Sequence, residues 1–592
     1  MKGKKILGNI IEWRLQHISD RYFILMLSII VGVASGLAAY ILKTAVFYLH
    51  NVLLSDIEFR YDNLLLLVYP SIGILLAVIL KKYILNDEIK HNISSILHAI
   101  SKRNSQMRRH KIFSSILGGT FTAGFGGSIG LESPIISSGA AIGSNLGRIL
   151  KLNYKTITIL LACGAAGAVS AIFNTPVAGI VFALEVLLID LTRFSLIPLL
   201  MASVSGTITT RVLFEEAILL EFQLTDPFLI KDIPFFILLG IVAGILSWYF
   251  TRVFLWIEDL FASIKKSRYR VIAGSIILGL LIFLFPALYG EGYEIIKLVL
   301  SGNHSFILDS SIFAGLADHW WIFAGFCILL ILLKVIATSS TIGAGGIGGV
   351  FAPALFTGAF MGFMFAYLFN LIDMPYHLSE SNFALVGMAC LLGGVLHAPL
   401  TGIFLIAEIT SGYGLIVPLM LATTISFVTV KYLEPNSIFT MLLAKKGELI
   451  THHKDKAVLT FMNLKSVIEK DFITIDLNAD LGDLVRAIKT SKRNIYPVTD
   501  HEGVLWGIVS LDNVREIMFE KSLYKNTYVR NLMVAPSASI FYEDTMDEVI
   551  RKFNDTNEWN LPVIDKGKYI GFVSRSKLFS VYRELLVEIS EE

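Results

Sequence analysis

The sequence is poor in charged residues and in cysteine. Its 592 residues are 17% charged, whereas soluble domains carry about 25%. The deficit is uneven, because about 13% of the first 446 residues are charged against about 29% of the last 146. A single soluble domain is therefore excluded, and the pattern predicts an apolar body joined to a globular tail. The three cysteines all lie in apolar segments, which argues against a disulfide framework or a cysteine metal site.

Six long stretches contain no charged residue, as expected of helices that cross a membrane. Such a helix needs about 20 mostly apolar residues. Basic residues precede the first stretch and occupy the 81–111 loop, so the positive-inside rule places the N-terminus and this loop in the cytoplasm. We expect a protein of the cell (inner) membrane with both termini cytoplasmic. The net charge of +2 gives no support to nucleic-acid binding. The stretches are Tyr22–Leu42, Ile112–Leu131, Thr156–Leu184, Val271–Gly290, Val335–Ile372 and Ile409–Val430.

Two glycine-rich segments interrupt this body and resemble each other. GGSIGLESP at 126–134 aligns with GGIGGVFAP at 345–353, at an offset of 219. Downstream, FNTPVAGIVFALE at 173–185 aligns with LHAPLTGIFLIAE at 396–408, at an offset of 223. Glycine relaxes the backbone and proline favours the first helical turn, so each glycine-rich segment predicts a break where a helix restarts inside the membrane. The shared order predicts an internal duplication, with common membrane composition as the alternative.

Such paired breaks predict an anion site. A helix N-terminus offers unpaired N–H groups and a partial positive charge, and interrupted helices of repeats point to a transport site. Neither segment contains Lys or Arg, so an anion would be held weakly by dipoles, as conduction requires. Glu132 is the one carboxylate there. Ionised, it would occupy the site; protonated or displaced, it would vacate it, and so act as a gate. The alternative is a glutamate that only stabilises its helix.

These residues resemble the CLC-type chloride channels and chloride/proton antiporters. GLESP at 130–134 is similar to the family motif Gly-Arg/Lys-Glu-Gly-Pro, and GVFAP at 349–353 to Gly-Ile-Phe-Val/Ala-Pro. The resemblance implies an all-α polytopic membrane domain over 21–446, after a cytoplasmic segment 1–20. About 18 helices, many broken or re-entrant, would form an inverted repeat.

The same resemblance implies a function and a set of site residues. The protein would be a homodimer in the lipid bilayer that carries chloride through one pathway per subunit. It would not be an enzyme, and it would need no cofactor or metal. Glu132 would be the gate. The anion would be bound around the two motifs by Gly130, Leu131, Glu132, Ser133, Val350, Phe351 and Ala352.

Two positions depart from the family's anion site. Where the family has Gly-Ser-Gly-Ile-Pro, this chain has KHNIS at 90–94, so His91 would take the place of the serine. His91 could equally be an ordinary polar residue at a helix start. Phe439 takes the place of the family's tyrosine and lacks its hydroxyl donor. A changed halide preference follows, and a fluoride-selective relative is an alternative.

A third departure concerns protons. Antiporters of the family often carry two consecutive glutamates, the second of which relays protons, but here the pair is Glu185-Val186. Val186 cannot carry a proton. Glu185 is a candidate substitute, although it is turned by about 100° around the helix. The sequence therefore favours a chloride channel, with a proton-coupled chloride antiporter as the alternative.

The tail, after a linker at 447–463, contains a second duplication. YPVTDHEGVLWGIVSLDN and LPVIDKGKYIGFVSRSK each read as strand, turn, strand and helix start. Helices are predicted before them at Leu481–Thr490 and Thr545–Phe553. The tail resembles a cytoplasmic α/β pair of CBS domains, at 464–520 and 530–585. Such pairs often bind adenine nucleotides; the alternative is a module for dimerisation and gating support, with Asp512 as a helix N-cap. The candidate nucleotide residues are Ser510, Asp512, Ser574 and Ser576.

Overall fold

The chain divides into two units, Met1–Leu449 and Ile450–Glu592. The structure is a computed structural model. It describes residues 17–54, 65–85, 92–189, 192–214, 226–301, 308, 311, 319–372, 377–410, 412–444, 462 and 464–590.

The described part of the first unit is helical, as the apolar stretches predict. Nine of its helical segments are long and apolar enough to cross a membrane, and shorter apolar helices lie between them. The mostly helical body confirms the predicted fold class. In chain order the helices are α1 (Asp20–Leu54), α2 (Leu65–Ile79), α3 (Asn92–Lys102), α4 (Lys111–Gly124), α5 (Glu132–Ile149), α6 (Tyr154–Phe173), α7 (Pro176–Glu185), α8 (Arg193–Leu213), α9 (Ile233–Ser263), α10 (Ser267–Leu284), α11 (Tyr293–Leu300), α12 (Trp320–Ala344), α13 (Phe351–Asn370), α14 (Glu380–Leu396), α15 (Pro399–Ile409), α16 (Ile416–Leu433) and α17 (Ile438–Ala444).

The predicted breaks are present at equivalent positions of the two halves. α5 begins at Glu132 and α13 at Phe351, which the offset of 219 pairs. α7 and α15 begin at Pro176 and Pro399, which the offset of 223 pairs. Proline lacks the N–H that the first turn leaves unpaired, so it starts a helix without the loss of a hydrogen bond. Each half therefore restarts its helices where the sequence predicts.

The backbone before these helices repeats a left-handed conformation. Gly126 has φ +84° and its equivalent Gly345 has φ +116°. Before α7 and α15, the equivalent residues Asn174 and His397 have φ +61° and +55°. Residues other than glycine and asparagine seldom adopt such angles. The two halves therefore share a backbone conformation that composition alone would not produce.

Small residues let equivalent helix pairs approach closely. On α5, a Cβ atom added to Gly139 would lie 2.2 Å from the carbonyl oxygen of Gly164 on α6. In the second half, a Cβ atom at Gly358 on α13 would lie 2.4 Å from the carbonyl oxygen of Gly387 on α14. Close backbone contact through small residues is how helices associate in lipid, where apolar burial gives little driving force.

The short helices α7 and α15 cap each other with carboxylates. Glu185, the last residue of α7, accepts hydrogen bonds from the backbone N of Leu400 at 3.0 Å and of Thr401 at 2.7 Å. The Thr401 hydroxyl donates to the same carboxylate at 2.8 Å. These contacts satisfy the unpaired N–H groups and the positive end of α15. Glu185 thus ties the first half of the unit to the second.

Glu408 on α15 caps α7 in return. Its carboxylate accepts from the backbone N of Val177 at 3.0 Å and of Ala178 at 2.8 Å. We expect Glu408→Ala to lower the free energy of unfolding by about 1–3 kcal/mol, because both N–H groups lose their acceptor. Thermal unfolding in detergent measures this. Glu294→Ala, at an exposed site on α11, is the control; equal melting of both variants would contradict the capping role.

The second unit is an α/β module made of two similar repeats. The strands are β1 (Ile468–Glu469), β2 (Ile475–Asp476), β3 (Ile495–Thr499), β4 (Leu505–Ser510), β5 (Ile540–Phe541), β6 (Asn560–Asp565) and β7 (Lys568–Ser574). One sheet has the order β2-β3-β4 and the other the order β1-β7-β6-β5, so the first strand of one repeat joins the sheet of the other. The helices are α18 (Leu464–Val467), α19 (Leu481–Thr490), α20 (Leu511–Val514), α21 (Met546–Thr556) and α22 (Arg575–Ser590).

Helices α19 and α21 are the two that the periodicity predicts. Each begins with a capping box, in which Asp480 and Asp483, or Thr545 and Glu548, exchange side-chain and backbone hydrogen bonds. Such boxes satisfy two N–H groups at once and fix the helix start. α19 has the predicted bounds, and α21 runs three residues beyond the predicted end at Phe553.

Candidate anion site

The two glycine motifs are hydrogen-bonded to each other. The backbone N of Gly130 donates to the carbonyl of Gly349 at 2.9 Å, and the N of Gly349 donates to the carbonyl of Gly130 at 3.0 Å. A Cβ atom on Gly349 would lie 2.0 Å from the Ser133 hydroxyl oxygen, so only glycine fits there. The starts of α5 and α13 are thereby held side by side.

Glu132 is fully buried at this junction, with an exposed fraction of 0%. The Tyr293 hydroxyl on α11 donates to its Oε1 atom. The carboxylate also lies beside the backbone N–H groups of Glu132 itself and of Ala352. Within the described residues, Oε2 makes no hydrogen bond of ordinary geometry. The carboxylate of Glu132 thus lies where the starts of α5 and α13 meet, and its role as a gate stays a prediction.

A small cavity lies at the same two helix starts, although Glu132 itself is not among its lining residues. Its volume is about 20 Å³, enough for about one water-sized particle. Three predicted anion ligands line it, Ser133, Val350 and Phe439, together with Gly349 of the second motif. Of the other predicted ligands, Gly130, Leu131, Phe351 and Ala352 are buried around the junction and do not line the cavity.

Three helices of eleven residues or more begin at the cavity wall. Ser133 is in the first turn of α5, Val350 is the N-cap of α13, and Ile93 is in the first turn of α3. The positive ends of these helices face one small space, which favours an anion. His91 lies outside the described residues. Phe439, on α17, adds an aromatic ring and no donor.

The structure adds three charged residues that the sequence analysis missed. Lys43 on α1 and Glu291 before α11 are half-buried, and Lys334 on α12 is fully buried. The Glu291 carboxylate accepts from the backbone N of Leu131 at 3.1 Å, next to Glu132 in the sequence. Lys334 donates to the carbonyl oxygen of Gly290 at 3.1 Å. The sequence did contain one signal for Lys334, which directly precedes the uncharged stretch Val335–Ile372. A lysine at the edge of such a stretch is costly in a membrane and indicates a function.

The position of the expected proton relay, Val186, and its possible substitute, Glu185, differ in their surroundings. Val186 is buried and apolar, with 6% exposure. Both oxygens of Glu185 are engaged in capping α15. A carboxylate held in this way stabilises the fold, and a proton relay through Glu185 stays a prediction.

The candidate nucleotide residues of the tail have local partners. Ser510, rather than Asp512, is the N-cap of α20, where it accepts from the backbone N of Asn513 at 3.3 Å. Asp512 lies inside the helix, exposed, and forms an ion pair with Arg515 at 2.6 Å. The N-cap alternative for Asp512 is therefore wrong.

In the second repeat the two serines differ in burial. Ser574 is buried and donates to Glu469 at 2.6 Å. Ser576 is exposed and lines a cleft of about 450 Å³ with Trp559, Arg575 and Phe579. This cleft is formed by the second repeat alone.

Comparison with known proteins identifies the family. Residues 72–431, more than half of the chain, match the family described as voltage gated chloride channel. The chain belongs to this family, the CLC proteins. Residues 464–520 and 529–584 match the CBS domain. The protein is therefore a membrane protein of a chloride-transporting family with a tandem CBS tail.

Curated relatives and a solved structure agree with this assignment. The chain is 27% identical over 387 residues to a putative chloride channel protein ClcB-like of Ralstonia nicotianae, covering 64% of this chain and 86% of the relative. It is 27% identical over 453 residues to the H⁺/Cl⁻ exchange transporter ClcA of Vibrio vulnificus, covering 74% and 93%. The crystal structure of a slow cyanobacterial Cl⁻/H⁺ antiporter has a TM-score of 0.61 at 23% identity, covering 72% and 98%. The last comparison shows the fold.

We expect Phe439→Tyr to tighten chloride binding about three- to tenfold, because a hydroxyl donor added at the cavity contributes roughly 1 kcal/mol. Calorimetric titration of the purified protein with chloride measures the change. Phe254→Tyr, at another aromatic residue of the cavity wall, is the comparison variant. Equal affinity of Phe439→Tyr and the unmodified protein would show that Phe439 does not face the ion.

Proposed function

We propose that this protein exchanges chloride for protons across the membrane, with Glu132 as the group that both ions use in turn. The observation that supports the proposal is a titratable carboxylate at the junction of two helix starts, fully buried and hydrogen-bonded to Tyr293. Chloride and the ionised carboxylate compete for the same helix ends. Protonation removes that competition, so proton and chloride movements become linked.

The named relatives support the exchanger over the channel that the sequence alone favours. The Vibrio vulnificus relative, 93% of which is covered, is named an H⁺/Cl⁻ exchange transporter. The Ralstonia relative is named a putative chloride channel protein, so a passive channel is the second candidate. Val186 favours that second candidate, because it is apolar and buried where a relay carboxylate is expected.

Proton coupling is tested by reconstitution into vesicles with an outward chloride gradient. We expect chloride efflux to drive proton uptake against its gradient in the unmodified protein. Glu132→Gln should abolish proton uptake and keep chloride flux, because glutamine cannot exchange a proton at neutral pH. A pH electrode and a chloride electrode record both ions together.

Glu294→Gln is the control, since it removes an exposed carboxylate on α11, and it should transport both ions normally. Chloride efflux without proton uptake in the unmodified protein would establish the channel. Proton uptake that survives in Glu132→Gln would remove Glu132 from the proton path.

We further propose a homodimer in the cell (inner) membrane with both termini cytoplasmic. α8 and α16 expose large apolar side chains, among them Ile197 (51%), Ile208 (54%), Met420 (53%) and Val428 (60%). Such faces require lipid or a second copy of the chain. Light scattering in mild detergent should give twice the chain mass of 65.6 kDa. A monomer with full chloride transport would contradict the dimer.

The tail is proposed to support gating and assembly. The prediction that it binds an adenine nucleotide remains a prediction. Ser576, beside exposed aromatic side chains, is the candidate with the most open surroundings.

A further inference from the structure

The gate lies in a cluster of two lysines and two carboxylates. Lys43 interacts electrostatically with both Glu132 and Glu291, and Lys334 interacts with Glu291. Glu132 and Glu291 interact with each other. With all four groups ionised the cluster carries no net charge, and protonation of Glu132 leaves it with one positive charge.

The lysines are held near the gate by contacts other than a close ion pair with Glu132. The Lys334 ammonium lies 4.7 Å from the centre of the Phe356 ring, and the Lys43 ammonium lies 5.3 Å from the centre of the Phe214 ring. Aromatic faces stabilise a desolvated cation. Lys43 therefore acts on Glu132 from a fixed position, and Lys334 acts on Glu291 from another.

Glu291 is held equally firmly. It lies between Gly290 (φ +62°) and Gly292 (φ +91°), and a Cβ atom on Gly292 would lie 2.6 Å from the Phe356 ring. The backbone N of Gly290 donates to the carbonyl of Gly126 in the first glycine segment at 3.0 Å. With the Leu131 contact, these bonds fix the carboxylate of Glu291 beside the start of α5.

We propose that Lys43, Lys334 and Glu291 are positioning residues that couple the proton on Glu132 to the chloride beside it. A net positive charge in a poorly solvated site is costly, so the protonated gate favours a bound chloride that restores neutrality. The ionised gate restores neutrality by itself and disfavours chloride. The inference rests on the proposed gate at Glu132 and assigns the source of its coupling.

The titratable and charged groups that interact with Glu132 come from α1, from α11 and from the turn before α11. They are Tyr293 from α11, Glu291 from the preceding turn and Lys43 from α1; Lys334 on α12 acts through Glu291. Farther out, Lys297 interacts with Lys43 and pairs with Glu294 at 3.4 Å, on the exposed face of α11. The exposed pair is screened by solvent, so it makes a suitable control.

The test uses opposite charge changes in the intact protein. Lys334→Met makes the cluster one unit more negative, so chloride should bind about tenfold more weakly and the pH of half-maximal chloride flux should rise by about one unit. Glu291→Gln makes it one unit more positive, so both changes should reverse. Both magnitudes are those expected when a unit charge is changed about 10 Å from the site at an effective dielectric constant of about 20.

The double variant Lys334→Met/Glu291→Gln restores the net charge, so both quantities should return towards those of the unmodified protein. In a Glu132→Gln background the pH shift should vanish and the chloride-affinity shift should persist. Chloride titration by calorimetry and flux from vesicles at graded pH are the measurements. Lys297→Met and Glu294→Gln should change neither.

Two outcomes overturn the inference: single variants that shift chloride affinity in the same direction, or a double variant no nearer the unmodified protein than either single one. If Lys334→Met does not fold, Glu291→Gln alone still decides, because unchanged or weaker chloride binding contradicts the expected gain. A protein that conducts chloride passively yet shows these shifts would refute proton exchange and keep the charge cluster.

Discussion

The structure depends on a constraint of the membrane interior, where backbone polar groups must be satisfied by the protein itself. Helices that stop midway leave such groups unpaired. Here Gly130 and Gly349 pair their N–H and carbonyl groups with each other. This pairing allows α5 and α13 to begin inside the protein, next to one another. The remaining N–H groups at these two starts can then bind an anion, so the same break that costs stability creates the site.

The duplicated half-helices solve a second part of the same problem. α7 and α15 are too short to cross a membrane, and their starts would also be left unpaired. Glu185 and Glu408 supply acceptors across the two halves. Carboxylates in an apolar body are therefore not all transport groups. Glu132 differs from Glu185 in its hydrogen-bond partners. Among the described residues, Glu132 has one side-chain donor and one oxygen without an ordinary hydrogen bond, whereas both oxygens of Glu185 accept hydrogen bonds.

Much of the fold and half of the site could be predicted from sequence, because both rest on local patterns. Glycine and proline mark the breaks, alignment of the halves shows the duplication, and Glu132 is the one carboxylate in the motif. The cluster of Lys43, Glu291 and Lys334 could not be predicted, since its members come from separate elements that only the tertiary fold brings together. Burial and partner geometry, which distinguish a cap from a relay, are likewise absent from a single sequence.

The charged residues near Glu132 bear on a difference between this chain and the family motif. The family motif has Arg or Lys before the glutamate, and this chain has Leu131, whose backbone N donates to Glu291. Positive charge reaches the gate instead from α1 in the first half and α12 in the second. Lys43 and Glu132 belong to one half, and Glu291 and Lys334 belong to the other. The four ionised groups are therefore brought together only when the two halves are packed against each other. An ion or proton that changes the net charge of these four groups alters the electrostatic potential in both halves, since a low-dielectric interior screens charge poorly. The duplicated architecture thus brings the starts of α5 and α13 together with charged residues from both halves.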